Sequence, residues 1–251
     1  MSAGGRCGRA LICALAIGAA GAAGAADSAI VYNFAPIGKF DKSFSEAAFH
    51  GVSRARLDGV EIREFEPGSE AEQDAMLREA GAFAPHVIAV GFGFLGALDE
   101  ASAERPNTRY TLIDAELQRH NVRSVLFAED QAAYLVGMLA GMKTATGVVG
   151  FVGGMDIPVI RNFEAGFAAG VRAVRPDAQI LARMTGDTPA AFGAPFAGML
   201  IARAQIARGA DVIFAAAGST GLGAYLAAAE AGRFAIGVDT DQTYLHPGVM
   251  L

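Results

Sequence analysis

Cysteine is almost absent from this chain of 251 residues, and its two positions are informative. Cys7 and Cys13 both fall in an N-terminal stretch where Arg6 and Arg9 precede an Ala-rich apolar run over residues 10–20, with small residues continuing to Ala26. That order matches the basic region, apolar region and small-residue cleavage site of a secretory leader, too short and too small in its side chains to anchor well in a membrane. Cleavage just before Ala26 or Asp27 would leave no thiol at all. A disulfide framework, a thiol nucleophile and a Cys-based metal site are thereby excluded. Ile12 is too bulky for the small residue that lipid attachment at Cys13 would need, so a soluble exported protein is expected.

Runs of positive charge are missing as well. The formal net charge is −6, and all 26 acids follow the leader while Arg6 and Arg9 lie in it, so the exported part is more acidic still. Such a chain is a poor partner for nucleic acid or an anionic membrane surface. Enzyme signatures are lacking too: there is no G-x-S-x-G, no H-E-x-x-H and no phosphate-cradling loop with its lysine. His50, His86, His120 and His246 stand singly, without a companion at metal-ligand spacing. No catalytic residue and no metal site is expected.

Apolar residues, at 53%, are abundant enough for one large core or two of domains of about 100 to 150 residues each. The organising stretch is residues 147–174, a buried strand, a Gly-rich turn and a helix opened by Pro158. Its helical part has a near copy earlier: residues 43–52 parallel residues 162–171, with a polar residue before a Phe and Gly-Val seven and eight positions after it. Each copy follows a strand-like run, which suggests two lobes of similar build.

The first lobe reads as strands over residues 29–34, 60–65, 86–90 and 109–114, with residues 121–127 leading out of it. Helices start at two capping boxes, Ser43 with Glu46 and Ser69 with Glu72, and a short one follows residues 91–96. The second lobe alternates helices over residues 130–143, 158–174, 195–208 and 222–231 with strands over 148–152, 179–184, 211–216 and 234–239. Strands alternating with helices mean βαβ units, so the fold class expected is α/β with two doubly wound parallel-sheet lobes. The division expected is residues 1–26 leader, 27–126 first lobe and 127–245 second lobe.

Ligands of open α/β sheets bind beyond the carboxyl ends of the strands. Asp41, Asp114 and Asp239 fall there, as do Phe44 at a helix start, Phe163, Phe192 and the turn at Gly218. Carboxylates accept hydrogen bonds and repel phosphate, and phenylalanine stacks on a flat ring. Together they suit an uncharged, hydroxyl-bearing molecule, a sugar or a nucleoside. Gly91-Phe92-Gly93-Phe94-Leu95-Gly96 spells G-x-G-x-x-G, with Asp114 further on. It follows the third strand of its lobe rather than the first, and its helix is short, so a Gly-rich cleft loop is expected and no cofactor.

The segments GKFDKSFSEAAFHGV, AVGFGF, VGFVGGMDIPVIRNFEAGFAAGV, GADVIFAAAGSTGLG and AIGVDTDQTYLHPG together resemble, in order, the motifs of the basic membrane protein family. These are purine-nucleoside-receptor-like substrate-binding proteins of ABC importers, and the resemblance runs from about Ala29 to the end. It implies a type I periplasmic-binding fold, nucleoside capture between the lobes in the periplasm, and delivery to a membrane permease with its ATPase, by a protein acting as a monomer. By motif, Asp41 and Phe44 would contact ligand with Phe44 stacking on a purine. Asp114 would accept from base or sugar, Gly218 would admit a close backbone approach, and Asp239 would hold ribose hydroxyls. The chain departs from the family at Ala191-Phe192-Gly193-Ala194, where an Asp often follows the Phe. The family also continues beyond Pro247-Gly248, so residues 246–251 are expected to begin a return crossing to the first lobe in a shortened chain that lacks a ligand-contacting lysine. The alternatives are the same fold holding a simple sugar or other small solute, and a dinucleotide-dependent oxidoreductase built on residues 91–96.

Overall fold

The structure is a computed structural model describing residues 26–34 and 38–251. The leader expected over residues 1–26 lies outside the described residues except for Ala26. Two parallel sheets account for the described strands, as the alternation of strands and helices implies.

The first sheet holds β1 (Ser28–Tyr32), β2 (Ile62–Phe65), β3 (His86–Val90), β4 (Arg109–Ile113) and β5 (Val122–Val125), in the order β2-β1-β3-β4-β5. Its helices are α1 (Phe44–Leu57), α2 (Glu70–Phe83) and α3 (Leu95–Glu104). The central strand β1, SAIVY, is buried along its whole length, as a strand covered on both faces must be. Val31, Val87 and Leu112 pack with Leu77 of α2 and Leu98 of α3 on one face, while Ile30, Tyr32 and Val90 meet Val52 of α1 on the other. Residues 121–127 do more than lead out of the lobe. They supply β5, paired in parallel with β4 from Tyr110↔Val122 to Ile113↔Val125.

The second sheet is β7-β6-β8-β9, formed by β6 (Val148–Met155), β7 (Gln179–Gly186), β8 (Val212–Ala216) and β9 (Phe234–Ile236). Around it lie α4 (Glu129–Lys143), α5 (Pro158–Val174), α6 (Pro195–Ala207) and α7 (Thr220–Glu230). Phe151 and Phe214 pack with Phe167 on the α4–α5 face, and Ile213 and Ala215 with Tyr225 on the α6–α7 face. Both sheets therefore share one winding, in which the second strand in sequence adds to one side of the first and later strands add to the other. The place where the order reverses is a crevice at the carboxyl ends, β1 beside β3 in one lobe and β6 beside β8 in the other.

Helices α4 and α5 touch along their backbones. A Cβ added at Gly166 would lie 2.1 Å from the Asp130 carbonyl oxygen, and one at Gly170 would lie 2.0 Å from that of Tyr134. Gly137 is in the same position against the Phe167 carbonyl oxygen, at 2.2 Å. The two helices thus form one rigid wall.

Three expectations about local structure are corrected. The parallel between residues 43–52 and 162–171 is not a match of position, because Phe44 opens α1 whereas Phe163 sits in the second turn of α5. Neither capping box closes as written: the Ser43 and Ser69 side chains make no cap bond, and Glu72 accepts instead from the Gly68 N–H at 3.0 Å. The tail does not set out toward the first lobe. Met250 bridges to Ala235, whose N–H donates to the Val249 carbonyl at 3.0 Å and whose carbonyl accepts from the Leu251 N–H at 2.9 Å, so the tail extends the second sheet beside β9.

Candidate functional site

The carboxyl ends of both sheets face a cavity of about 900 Å³ between the lobes. Asp41, Phe44, Asp114, Phe192, Gly218 and Asp239 all line it. Elements more than 190 residues apart in the chain thus converge on one space, although the residues differ in what they are free to do.

Asp114 follows β4 and Asp239 follows β9, each with positive φ, 73° and 66°. That left-handed conformation is uncommon for residues other than glycine and is held only where the surroundings over-determine it. Asp114 keeps its pairing, donating its N–H to the Val125 carbonyl at 2.9 Å, and the turn frees its side chain for the cavity. Among the described residues no donor reaches its carboxylate. Burial, and then Glu129 nearby, push its pKa up to about 6. Asp239 is likewise pushed up to about 6 by loss of water, with the Ser43 hydroxyl opposing and Asp41 and Asp114 adding to the rise. Its surface is open, but open to the narrow space between the lobes, where protein displaces most of the bulk water that would solvate a free carboxylate.

Asp41 has a different task. It is buried, and its two oxygens accept from the N–H groups of Ser43 at 2.8 Å, Ser45 at 3.1 Å and Glu46 at 3.1 Å. Asp41 therefore caps α1, and the hydroxyl of Ser43 is released from capping to donate to Asp239 across the cleft. Asp41, expected to contact ligand, lines the cavity with a carboxylate already bonded to the start of α1. Glu46 accepts from the Lys42 N–H at 3.0 Å and its ammonium at 3.1 Å.

Six phenylalanines line the cavity: Phe34, Phe44, Phe92, Phe127, Phe163 and Phe192. Phe44 stands half-buried at the first position of α1, packed on one side against the first sheet. Phe192 ends a single 3-10 turn, Pro189–Phe192, and lies over Gly154, where a Cβ would come within 2.3 Å of the ring. It reaches Phe92 of the opposite lobe, with ring centroids 6.4 Å apart. Gly218, at φ 55°, is required by its turn and by Phe192, whose carbonyl oxygen a Cβ would approach to 3.1 Å. The close approach is thus to the protein's own chain.

Phe92 lies in the cleft loop that the sequence led us to expect, whereas sequence reasoning missed Phe127 and Glu129. Both arrive through β5, whose VRSV is a short, half-polar edge strand with no clear alternation. The G-x-G-x-x-G pattern is part of the same wall. Gly91, at φ 111°, turns out of β3 against Asn33, and residues 92–94 make one 3-10 turn. A Cβ at Gly96 would meet nothing within 4 Å, so the third glycine does not serve the close helix–strand packing that a dinucleotide site needs. Among the described residues no group of three or more His, Cys, Asp or Glu is placed to hold a metal ion.

Two parallel-sheet lobes closing a cleft at their carboxyl ends are the architecture of type I periplasmic-binding proteins. A solute-binding protein from Aeropyrum pernix superimposes with a TM-score of 0.80 at 29% identity, over 89% of this chain and 65% of that one. Residues 33–251 match the model of the PnrA-like ABC transporter substrate-binding proteins, and the chain belongs to that family, as its motifs imply. A CD4+ T-cell-stimulating antigen of Listeria monocytogenes is 35% identical over 82% of this chain and 60% of its own length. The nucleoside-binding protein BmpA of Lactococcus lactis is 30% identical over 83% of this chain and 62% of its own length. The chain thus spans about 60% of the length of the curated relatives it matches.

Proposed function

We propose that this chain captures a purine nucleoside, or a close relative of one, in the interlobe cavity and serves as the receptor of an ABC importer. In this reading it is exported to the periplasm by its leader, acts as a monomer without catalysis or cofactor, and hands its ligand to a permease and its ATPase. The observation that carries the reading is the chemistry of the cavity lining. Five carboxylates border it (Asp41, Asp114, Glu129, Asp239 and Asp241) together with the six phenylalanines, and among the described residues no Lys, Arg or His does. Rings of that kind hold a planar base by stacking, and free carboxylate oxygens accept from ribose hydroxyls and base N–H groups. Phosphate would enter a field of its own sign with no cation to meet it. Asp114 and Asp239 are the acceptors best placed for this task, with Phe44 and Phe192 as ring partners and Gly218 as part of the wall. The name of the Lactococcus relative supports a nucleoside over a sugar.

Isothermal titration of the protein with inosine, guanosine, adenosine, ribose, glucose and NAD tests the reading. Saturable binding of a purine nucleoside, with no heat from the sugars or NAD, is the expected result. Binding of a free sugar in preference to every nucleoside would overturn it.

A further inference from the structure

We propose that Gln242 is the tongue of a clasp that holds the two lobes shut, setting how fast ligand leaves rather than which ligand is recognised. The inference rests on the reading of the cavity as a ligand-capture site. Gln242 follows β9 in a loop, yet its side chain is only 2% exposed and both ends are used. Its Oε1 accepts from the Val238 N–H of its own lobe at 3.0 Å, while its Nε2 donates to the Lys42 carbonyl of the other lobe at 2.5 Å. A backbone N–H only donates and a carbonyl only accepts, so the two partners fix which end of the amide points where. Gly237 leaves the room: a Cβ there would lie 2.3 Å from Gln242 Oε1.

The opposing half is equally prepared. Lys42 has φ 61°, a left-handed turn that no glycine relieves, and it presents its carbonyl to the second lobe. Thr240 Oγ1 donates to the same carbonyl at 3.4 Å. Next to it, Ser43 is held by Asp41 on the end of α1 and donates its hydroxyl to Asp239. Two non-glycine residues in the left-handed region, Lys42 and Asp239, are therefore acceptors of bonds that cross the seam, Lys42 from Gln242 and Thr240 and Asp239 from Ser43. Strained backbone on both sides of one contact is expected where a contact is made and broken in the working cycle. Packing of the second lobe alone would need only the Val238 bond. The bond to Lys42 spans 200 residues of chain and joins the lobes beside the cavity. Opening exchanges this buried bond for bonds to water, and the net cost of the exchange slows release.

Gln242→Glu separates the two bonds. It keeps an oxygen for the Val238 N–H and, as a carboxylate, turns a second oxygen against the Lys42 carbonyl. Because it also brings a charge into an acidic cleft, the uncharged Gln242→Met, which loses the interlobe bond without that charge, is measured beside it at pH 8 and must show the same direction of change. In stopped-flow measurements with the purine nucleoside that the parent binds, the variant should release ligand about 10- to 100-fold faster, as expected for loss of one buried hydrogen bond, with the association rate within about threefold of the parent. A second readout needs no ligand. In a Cys7→Ser, Cys13→Ser background, spin labels at Arg54→Cys in α1 and Arg172→Cys in α5 report the interlobe distance, which Gln242→Glu should lengthen or broaden. An unchanged release rate, or a distance distribution identical to the parent's, would overturn the clasp. Should the parent bind no nucleoside, the capture reading falls, and the distance measurement by itself decides the clasp.

Discussion

Alanine is ordinarily the better helix former than glycine, so the α4–α5 seam offers a test in which two effects of known size oppose each other. Within a helix, Gly→Ala gains about 0.5–1 kcal/mol by removing backbone freedom from the unfolded chain. Gly51 lies in the middle of α1 with nothing within 4 Å of an added Cβ, so Gly51→Ala should stabilise the protein by that amount. At Gly170 the same methyl would lie 2.0 Å from the Tyr134 carbonyl oxygen and 2.9 Å from the Met138 nitrogen, both backbone atoms. Ordinary contact is about 3.5 Å, so the helices must part by on the order of 1 Å, and no rotamer can absorb the shift. Overpacking of this kind costs about 1–3 kcal/mol, which outweighs the propensity gain and leaves a net loss of about 1–2 kcal/mol. Urea unfolding followed by far-UV circular dichroism compares the two variants through their midpoints at constant slope. The two substitutions should move the midpoint in opposite directions. If Gly170→Ala is as stable as Gly51→Ala, the backbone contact of α4 with α5 is not as described. Because the N-terminal halves of these helices carry Glu129 and Phe163 into the cavity wall, Gly170→Ala should also weaken ligand binding.

Other consequences are open to measurement. Phe44→Ala should cost a nucleoside about 1–3 kcal/mol of binding by titration calorimetry, as base–aromatic stacking does elsewhere, and unchanged affinity would mean that no flat ring rests there. Adding a 5′-phosphate should reduce affinity at least about tenfold, because the described residues that line the cavity include five carboxylates and no Lys, Arg or His; equal binding of nucleoside and nucleotide would refute that. For pH, Asp114 and Asp239 have folded-state pKa values raised to about 6 from the ordinary carboxylate range. Protonation then favours the ligand-free fold, so their contribution to its stability is fully present below the unfolded pKa near 4 and lost as pH rises through about 6. Ligand affinity runs the other way, weakening as pH falls through about 6 and the acceptors take up protons. In thermal melts and titrations between pH 4.5 and 7.5, the difference between the parent and an Asp114→Asn, Asp239→Asn variant should show both trends, whereas other groups such as His86 titrate alike in the two.

Much of the architecture was legible in the order of residues because the signals were local. Apolar β-branched runs such as HVIAV and VIFAA can be little else than buried strands, and Pro158 opens a helix where its missing N–H costs nothing. Asp114 and Asp239 were recognisable as cleft residues for the same reason, each standing just past a strand's end. What escaped was whatever depends on a partner distant in the chain. Asp41 and Ser43 look like any capping pair, and only the folded molecule gives the cap to one and sends the hydroxyl of the other to Asp239. β5 is too short and too polar to announce itself, and it becomes a strand because β4 offers a free edge.

Alternation of strand and helix and the residues at strand ends thus determined the fold class and the side of the sheets where a ligand would sit, and the five motifs in order carried the resemblance to the family. The tertiary structure alone decided which carboxylates are free to accept, which glycines are demanded by a neighbouring backbone, and that Gln242 joins the lobes. Those facts rest on contacts between residues tens to hundreds of positions apart, and no local pattern encodes the distance between them.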